Sequence, residues 1–187
     1  MRLESWGRFP RTTARAVPMH WRAASPFGGP GPFLAHGLGR SYGDVCLNDG
    51  GALVLTRALD RFIALDVERG LLSCEAGVSL GEILDLVEPR GLGLHVVPGT
   101  KHVTVGGAIA NDVHGKNHHR AGTFGAHVAE LELLRSTGER LVCSPTENAE
   151  LFAATVGGLG LTGIVLAATL ELRRQASPAV LAESVPI

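Results

Sequence analysis

The stretch PGTKHVTVGGAIANDVHGKNHH, residues 98–119, brings glycines, hydroxyls and ionisable side chains together in one short part of the chain. A segment that only packs shows apolar residues at helical or alternating spacing, and this one shows neither period. Glycine lets a backbone approach another group closely. Thr104 and the small residues after it also indicate the start of a helix, where N–H donors and the helix dipole favour an anion. The stretch therefore predicts a binding site lined by backbone.

Composition limits the partners and the compartment. The 187-residue chain has a formal net charge of -1, and its Lys and Arg residues are scattered. A nucleic-acid-binding protein would have them clustered, so we expect small-molecule partners and no nucleic acid. Three cysteines, Cys46, Cys74 and Cys143, are far apart and lack metal-ligand spacing, which favours a reducing compartment. With no signal-peptide pattern and no run of about 18 apolar residues, we expect a cytoplasmic protein without a transmembrane segment, at most peripheral at a membrane.

A second glycine-rich stretch is HGLGRSYGD, residues 36–44. Its glycines do not have the GxGxxG spacing of a dinucleotide-binding turn, and no long amphipathic helix follows, so a Rossmann fold is not expected. Consecutive backbone N–H groups in such a turn can hold a phosphate, with Ser41 adding a hydroxyl and Arg40 a charge. A tight surface turn without a ligand is the alternative reading of the same residues.

Strands outnumber helices in the predicted secondary structure. Ser79 and Glu82 form a capping-box pattern at the start of one helix, and Asn148 is a candidate N-cap of another. The turns ERG, residues 68–70, and STGE, residues 136–139, predict two hairpins between the strands that flank them. Because most predicted strands are joined by short turns, the pattern favours an α+β domain. We also expect Trp6 and Trp21 to be buried anchors. The predicted strands cover residues 33–36, 52–55, 62–66, 71–77, 92–97, 127–134, 140–143 and 164–172, and the predicted helices cover residues 79–88 and 148–154.

The histidine cluster of residues 114–119 suggests a metal site but does not fit one. His114 and His118 are four residues apart, but Gly115 stands where an HExxH hydrolase has its glutamate, and Gly and Asn make a poor helix. We therefore predict no metal. No Ser or Cys has the setting of a nucleophile. Lys116 fits a solvated charge and a site residue equally well.

Three motifs in order, GLGRSYGD, PGTKHVTVGGAIANDVHGKNHH and TVGGLGLTGI, resemble the FAD-binding domain of the decaprenylphosphoryl-β-D-ribose oxidase family. That family lies within the vanillyl-alcohol-oxidase (PCMH-type) flavoprotein superfamily, and the similarity runs from about SWGR to about residue 172. The resemblance implies a two-lobed α+β domain that holds FAD. Its lobes would be residues 1–98 and 99–173, with a linker at 174–187.

Carried over by position, the resemblance implies three groups of site residues. One wraps the pyrophosphate, another holds the cofactor from the opposite side or borders its ring system, and a third forms the mouth of the sugar pocket. The cofactor residues implied are Gly37, Leu38, Gly39, Arg40, Ser41, Tyr42, Gly99, Thr100, Thr104, Gly107, Ala110, Asn111, Val113, His114, Gly115, Gly160 and Val165, and the substrate residues are Tyr42, His114 and Lys116.

The sequence departs from the family pattern at two positions. Arg40 occupies the place of the histidine that binds FAD covalently in some related flavoproteins, so non-covalent FAD is expected. Leu159 stands where related members carry Asn, so the cofactor hydrogen bond of that Asn is not expected here. Family members also continue into a substrate domain and a closing segment of the FAD domain, which we expect to be missing here, so no catalytic base is assigned.

The resemblance implies hydride transfer from a polyprenyl-phosphate pentose to FAD. A partner reductase would then return the keto sugar and complete an epimerisation. Two alternatives stay open: an aldonolactone or alditol oxidase of the same superfamily, and an inactive flavin-binding or interaction module.

Overall fold

A computed structural model of the chain describes residues 3–175 and residue 177. Most of the predicted linker at 174–187 therefore lies outside the described residues. Nine strands and four α-helices occur in the described part: β1 Arg15–Pro18, β2 Phe33–His36, β3 Ala52–Leu55, β4 Phe62–Asp66, β5 Leu71–Glu75, α1 Leu80–Val87, β6 Leu92–Leu94, α2 Val105–Ala110, α3 His118–Ala121, β7 Val128–Leu134, β8 Arg140–Cys143, α4 Ala149–Thr155 and β9 Ile164–Arg174.

The first three strands form a small parallel sheet. β3 lies in the centre, and β1 and β2 pair with it on either side. β1 was not predicted, because its residues RAVP show no alternation and are mostly exposed. The carboxyl ends of β2 and β3 lie side by side, since His36 pairs with Leu55. The chain segments that follow these two strands therefore leave the sheet at the same edge.

The second sheet is antiparallel and has β9 at its centre. Its strand order is β4-β5-β9-β7-β8, and β6 pairs with the far end of β9. The predicted hairpins β4-β5 and β7-β8 are both confirmed. One parallel sheet, one antiparallel sheet and few helices agree with the predicted α+β class. Strands from both sides of residue 98 pair in this sheet, as in β5 with β9, and the division into lobes at residue 98 stays a prediction.

Two apolar clusters hold these elements together. The larger cluster packs α1 and α2 against the second sheet. The smaller one joins Met19, Val54 and Leu59 to Leu134, Ile164 and Leu166, so the parallel sheet packs against the ends of β7 and β9. Because these six side chains are at most 3% exposed, the two sheets share a continuous interior.

Helix starts follow the predicted local chemistry in most places. At α1, Ser79 and Glu82 form the predicted capping box, and at α2 the Thr104 hydroxyl accepts from the Gly107 N–H at 3.1 Å. Asn148 does stand at the N-cap of α4, but its side chain does not cap the helix. It donates instead to the Val142 carbonyl at 2.7 Å. The strand predicted at residues 92–97 ends at residue 94.

The prediction that Trp6 and Trp21 are buried is wrong. Trp6 is 57% exposed and Trp21 is 63% exposed. Each ring lies beside an arginine, with the Arg61 guanidinium carbon 4.1 Å from the Trp21 ring centroid and that of Arg40 5.8 Å from Trp6. Both rings are therefore surface platforms for cations. Among the described residues no helix is long and apolar enough to cross a bilayer.

Candidate functional site

A cavity of about 450 Å³ opens at the carboxyl ends of β2 and β3, between the parallel sheet and α2. Its volume is within the usual range for small-molecule and cofactor sites. All three glycine-rich segments, residues 36–44, 98–119 and 157–163, contribute to its wall. The predicted site residues that line it are Gly37, Leu38, Gly39, Arg40, Ser41, Tyr42, Gly99, Thr104, Gly107, Ala110, Asn111, Val113, His114, Gly160 and Val165.

Three predicted residues do not line the cavity. The Thr100 hydroxyl accepts from the His102 N–H at 3.2 Å in a local turn. Gly115 is buried, and a Cβ there would lie 2.7 Å from the Val97 carbonyl oxygen. Lys116 is exposed to solvent. Thr100 and Gly115 each adjoin a lining residue in the chain, and Lys116 is two residues from His114, so all three lie near the border of the cavity in the sequence.

The turn of residues 37–42 presents unused backbone donors. Five of its six N–H groups donate no hydrogen bond to a described residue, whereas the Ser41 N–H lies against the buried Cys46 thiol. A backbone N–H that leaves water must find a partner, and consecutive free N–H groups in a glycine turn make an anion-binding concavity. The turn is therefore suited to hold a negatively charged group.

The start of α2 is different, although the sequence predicted anion-binding donors there. The N–H groups of Val105 and Gly106 donate to the carbonyls of Val78 and Ala76, both at 2.8 Å. The third N–H, of Gly107, is taken by the Thr104 hydroxyl. These bonds hold α2 against the segment after β5, and they leave its first turn without free donors. The prediction that this helix start offers free N–H donors to an anion is therefore wrong.

Close contacts fix the two walls of the cavity relative to each other. A Cβ added to Gly37 would lie 2.5 Å from the Thr104 hydroxyl oxygen, far inside a normal contact. The Ser41 hydroxyl donates to the Asn111 side-chain oxygen at 3.5 Å, and the Asn111 amide donates to the Gly107 carbonyl at 2.9 Å. The turn after β2 therefore packs directly on α2, and only glycine fits at residue 37.

The third glycine loop is attached to the end of α2. Gly157 donates to the Ile109 carbonyl at 2.9 Å and Leu159 to the Ala110 carbonyl at 2.8 Å. Leu159 lines the cavity with a φ of 54°, a left-handed conformation that a branched side chain adopts only with strain. Strained backbone of this kind persists where the surrounding structure fixes the residue. At Leu159 the hydrogen bond to the Ala110 carbonyl is one such contact.

The charge of the cavity wall favours an anionic ligand. The lining residues include no Asp or Glu, whereas Arg40 and His114 are both present. Cys46 lies at the inner end, where burial raises the pKa of its thiol more than contacts from Ser41 lower it. The thiol is therefore neutral at pH 7 and is not a nucleophile.

The sequence did not predict the part of the wall formed by Ala35, Val45, Thr56, Val103 and Gly163. Thr56 and Val103 are buried and Thr56 has the one polar side chain of the five, so this mainly apolar part is called the inner end of the cavity. Ala35 belongs to β2 and Thr56 directly follows β3, so both lie beside the carboxyl edge of the parallel sheet. A prediction that β2 and β3 are parallel neighbours would have found them, because parallel strands bring their following residues to one edge.

The histidines form ring contacts. Ring centroids of His114 and His118 are 5.2 Å apart, and those of His95 and His127 are stacked at 4.0 Å. Burial lowers the pKa of His95, and the neighbouring His127 lowers it further. Among residues 3–175 and 177 no three His, Cys, Asp or Glu side chains lie close enough to hold a metal ion.

Comparison with known proteins assigns the chain to a family. The family described as FAD binding domain matches residues 12–144. The decaprenylphosphoryl-beta-D-ribose oxidase of Mycolicibacterium smegmatis is 47% identical over 184 residues, which cover 91% of this chain and 39% of that protein. The L-gulonolactone oxidase of Scyliorhinus torazame is 32% identical over 137 residues, covering 72% of this chain and 30% of the relative.

A third relative is the putative D-arabinono-1,4-lactone oxidase of Neurospora crassa, 30% identical over 135 residues that cover 72% of this chain and 24% of the relative. The chain thus spans less than two fifths of the length of each of these relatives. The family match covers most of the chain and includes two of the three glycine-rich segments that line the cavity. On this ground the chain belongs to the FAD binding domain family.

Proposed function

We propose that the chain binds FAD non-covalently in the cavity, with the pyrophosphate on the turn of residues 37–42. The observation that carries the proposal is the set of five backbone N–H groups in this turn, all but that of Ser41, that no described residue uses. A pyrophosphate offers several acceptor oxygens and negative charge, which is what such a row of donors binds.

The residues present fit the cofactor. Glycine at residue 37 lets the turn lie directly against Thr104, so the donors of the turn and the wall formed by α2 face one cavity. The wall has no carboxylate that would repel a phosphate, and Arg40 supplies a cation. The inner end is apolar and suits a part of the cofactor that lacks charge.

Each wall has a separate role in this proposal. Gly37, Leu38 and Gly39 offer backbone donors, and the Arg40 guanidinium neutralises charge. The opposite wall, which includes Gly107, Ala110, Asn111 and Val113, limits the space and orients the ligand. Gly99, Gly160 and Val165 close the remaining sides, while Thr100 and Gly115 support the border without lining the cavity.

We propose Tyr42, His114 and Lys116 as the substrate side of the site. Tyr42 is 76% exposed and lines the cavity. His114 also lines it, and its backbone is held by a bridge to Thr123. In this proposal both residues contact a substrate at the mouth, and the exposed Lys116 side chain would reach it from the border.

For the protein to which this domain belongs, we propose oxidation of a polyprenyl-phosphate pentose. The support is the 47% identity to a decaprenylphosphoryl-beta-D-ribose oxidase. When bound, FAD supplies a two-electron acceptor for a sugar hydroxyl carbon. The described residues would orient the sugar and exclude water, and no proton acceptor is assigned to this chain.

A second candidate is oxidation of an aldonolactone or alditol. It is favoured by the similarity to L-gulonolactone and D-arabinono-1,4-lactone oxidases. Both candidates use the same cofactor site, so they differ only in the substrate that reaches the mouth. We also propose that the domain has two lobes. A partner reductase would act on the product, and the protein would contact a membrane peripherally.

The cofactor proposal is tested by titrating the purified chain with FAD. We expect flavin absorbance that stays with the protein on gel filtration, a rise in the thermal midpoint, and full release of FAD on denaturation. Arg40→Ala should weaken binding, whereas Arg11→Ala, which removes an exposed arginine outside the cavity, should not. Protein that gains neither absorbance nor thermal stability would refute the proposal.

The substrate proposal requires a protein with the length of its relatives that includes this domain. Flavin reduction should be faster with a polyprenyl-phosphate pentose than with aldonolactones or free alditols. The reverse order would favour the second candidate. In the same protein, His114→Ala should slow flavin reduction more than it weakens FAD retention, and the opposite pattern would give His114 a structural role.

A further inference from the structure

The segment before the family match packs against the outer side of the turn that carries the free donors. The family match begins at residue 12, and residues 4–9 are not among those that line the cavity. The Trp6 N–H nevertheless donates to the Ser41 carbonyl at 3.0 Å. A Cβ added to Gly39 would lie 2.4 Å from the Glu4 carbonyl oxygen, so this residue also contacts the turn directly.

The segment has a defined shape of its own. Ser5 is 2% exposed, and its carbonyl accepts from the Arg8 N–H at 3.0 Å. The Ser5 hydroxyl also donates to the Phe9 carbonyl at 3.5 Å. Residues 5–9 therefore form a folded turn with its own internal bonds, which can act as a support.

The hydrogen bond from Trp6 determines where a free donor points. In a planar trans peptide the C=O and N–H groups point in opposite directions. Because the Ser41 carbonyl points outward to Trp6, the N–H of the same peptide, which belongs to Tyr42, points to the other side. The Leu38 carbonyl is held in a similar way by the Arg40 guanidinium at 2.7 Å, which orients the Gly39 N–H.

The ring of Trp6 acts on the cation of the same turn. The Arg40 guanidinium carbon lies 5.8 Å from the ring centroid, within reach of a cation–π contact. Arg40 is exposed, so without the ring and the Leu38 carbonyl its long side chain would sample many rotamers. Trp6 thus restricts both the backbone of the turn and the position of the Arg40 guanidinium.

We propose that Trp6 is a positioning residue for the pyrophosphate-binding turn, acting through its N–H on the Ser41 peptide and through its ring on Arg40. The inference rests on the proposed binding of FAD. It adds that affinity for the pyrophosphate depends on a segment that does not itself line the cavity. A pyrophosphate ligand without a flavin should depend on Trp6 to the same degree as FAD.

The test measures dissociation constants of FAD and ADP for the full chain and its variants. Trp6→Ala, which keeps the N–H and removes the ring, should weaken both ligands by about two- to fivefold. Trp6→Phe should restore most of the loss, because it keeps an aromatic face. Phe9→Ala is the matched control, since Phe9 is 77% exposed in the same segment and has no cation beside it among the described residues.

A double-mutant cycle separates positioning from a general structural role. If the ring acts through Arg40, Trp6→Ala should have no further effect in an Arg40→Ala background. Trp6→Pro, which also removes the N–H, should weaken both ligands at least about tenfold. The thermal midpoint of Trp6→Ala without ligand should stay within about 2 °C of the wild type, since the ring is mostly exposed.

The outcomes distinguish this inference from the cofactor proposal. Wild-type protein that binds no FAD would refute both. If the wild type binds FAD and Trp6→Ala binds FAD and ADP equally well, only the role of Trp6 is refuted. The same holds if Trp6→Ala loses ligand affinity and ligand-free stability together and Trp6→Phe restores neither, because Trp6 would then be structural.

Discussion

Replacing Gly37 by Ala tests whether the contact between the two cavity walls is as close as the structure indicates. The new Cβ would lie 2.5 Å from the Thr104 hydroxyl oxygen and 3.2 Å from its methyl carbon. Thr104 is 2% exposed, so it has no open space to move into. A rotation that avoids the methyl group would take the hydroxyl away from the Gly107 N–H, which it now caps at 3.1 Å.

The expected magnitude follows from these contacts. Loss of an N-cap costs about 0.5–2 kcal/mol, and an added methyl in a packed place costs about 1–3 kcal/mol. Alanine also lowers the conformational entropy of the unfolded chain, and this stabilises the folded chain by about 0.4–1 kcal/mol. The sum is a destabilisation of about 1–4 kcal/mol, or a fall of the thermal midpoint of roughly 4–8 °C for a loss near 2 kcal/mol.

Urea denaturation of the ligand-free chain measures the loss, and FAD titration shows whether the displaced wall also weakens binding. Gly28→Ala is the matched control, because a Cβ there meets no atom within 4 Å and residue 28 is exposed. The reasoning is refuted if Gly37→Ala is as stable as the control within about 0.5 kcal/mol, which is the usual size of a neutral surface change.

Other predictions concern strain, buried charge and pH. Leu159→Asn should stabilise the chain by about 1 kcal/mol in urea denaturation because Asn tolerates a φ of 54° better, whereas Leu161→Asn should have no effect. Glu75→Gln should cost about 1–3 kcal/mol, since its 3% exposed carboxylate accepts from the Arg61 N–H and guanidinium at 3.0 and 3.1 Å. The Asp85 carboxylate is exposed and is paired only at 3.8 Å. Asp85→Asn should therefore leave the free energy of unfolding almost unchanged. Folding lowers the pKa of His95 from 6.5. The free energy of unfolding is therefore highest above pH 6.5, where the ring is neutral in the folded and the unfolded chain, and it falls as the pH drops below that value. His95→Gln should reduce this decline in denaturation curves recorded across the pH range, and an unchanged decline would contradict the role of His95.

Features that depend on neighbouring residues in the chain were predicted well. The Ser79–Glu82 capping box marks α1 because both partners lie within one turn. The ERG turn and the STGE turn predict the hairpins β4-β5 and β7-β8, since a short loop leaves two strands only one way to pair. The order of the three glycine motifs along the chain resembles that of an FAD-binding domain, and the family match confirms this resemblance.

Features that depend on distant residues were missed or misjudged. β1 and β2 are parallel neighbours of β3, and no local pattern predicts a pairing that crosses more than 15 residues. The small residues of α2 do suggest a helix start with free donors. Whether those donors are free depends on the Ala76 and Val78 carbonyls, about 30 residues earlier in the chain.

The amino-acid sequence by itself therefore determined where glycines open the backbone, where helices begin and which strands form hairpins, because these follow from local sterics and hydrogen bonding. Only the tertiary structure decided which N–H groups stay free. It showed that the start of α2 has no free donors, left those predicted in the turn of residues 37–42 available, and placed Trp6 behind that turn. A backbone donor is available to a ligand only when no other part of the chain has used it, and that depends on the whole fold.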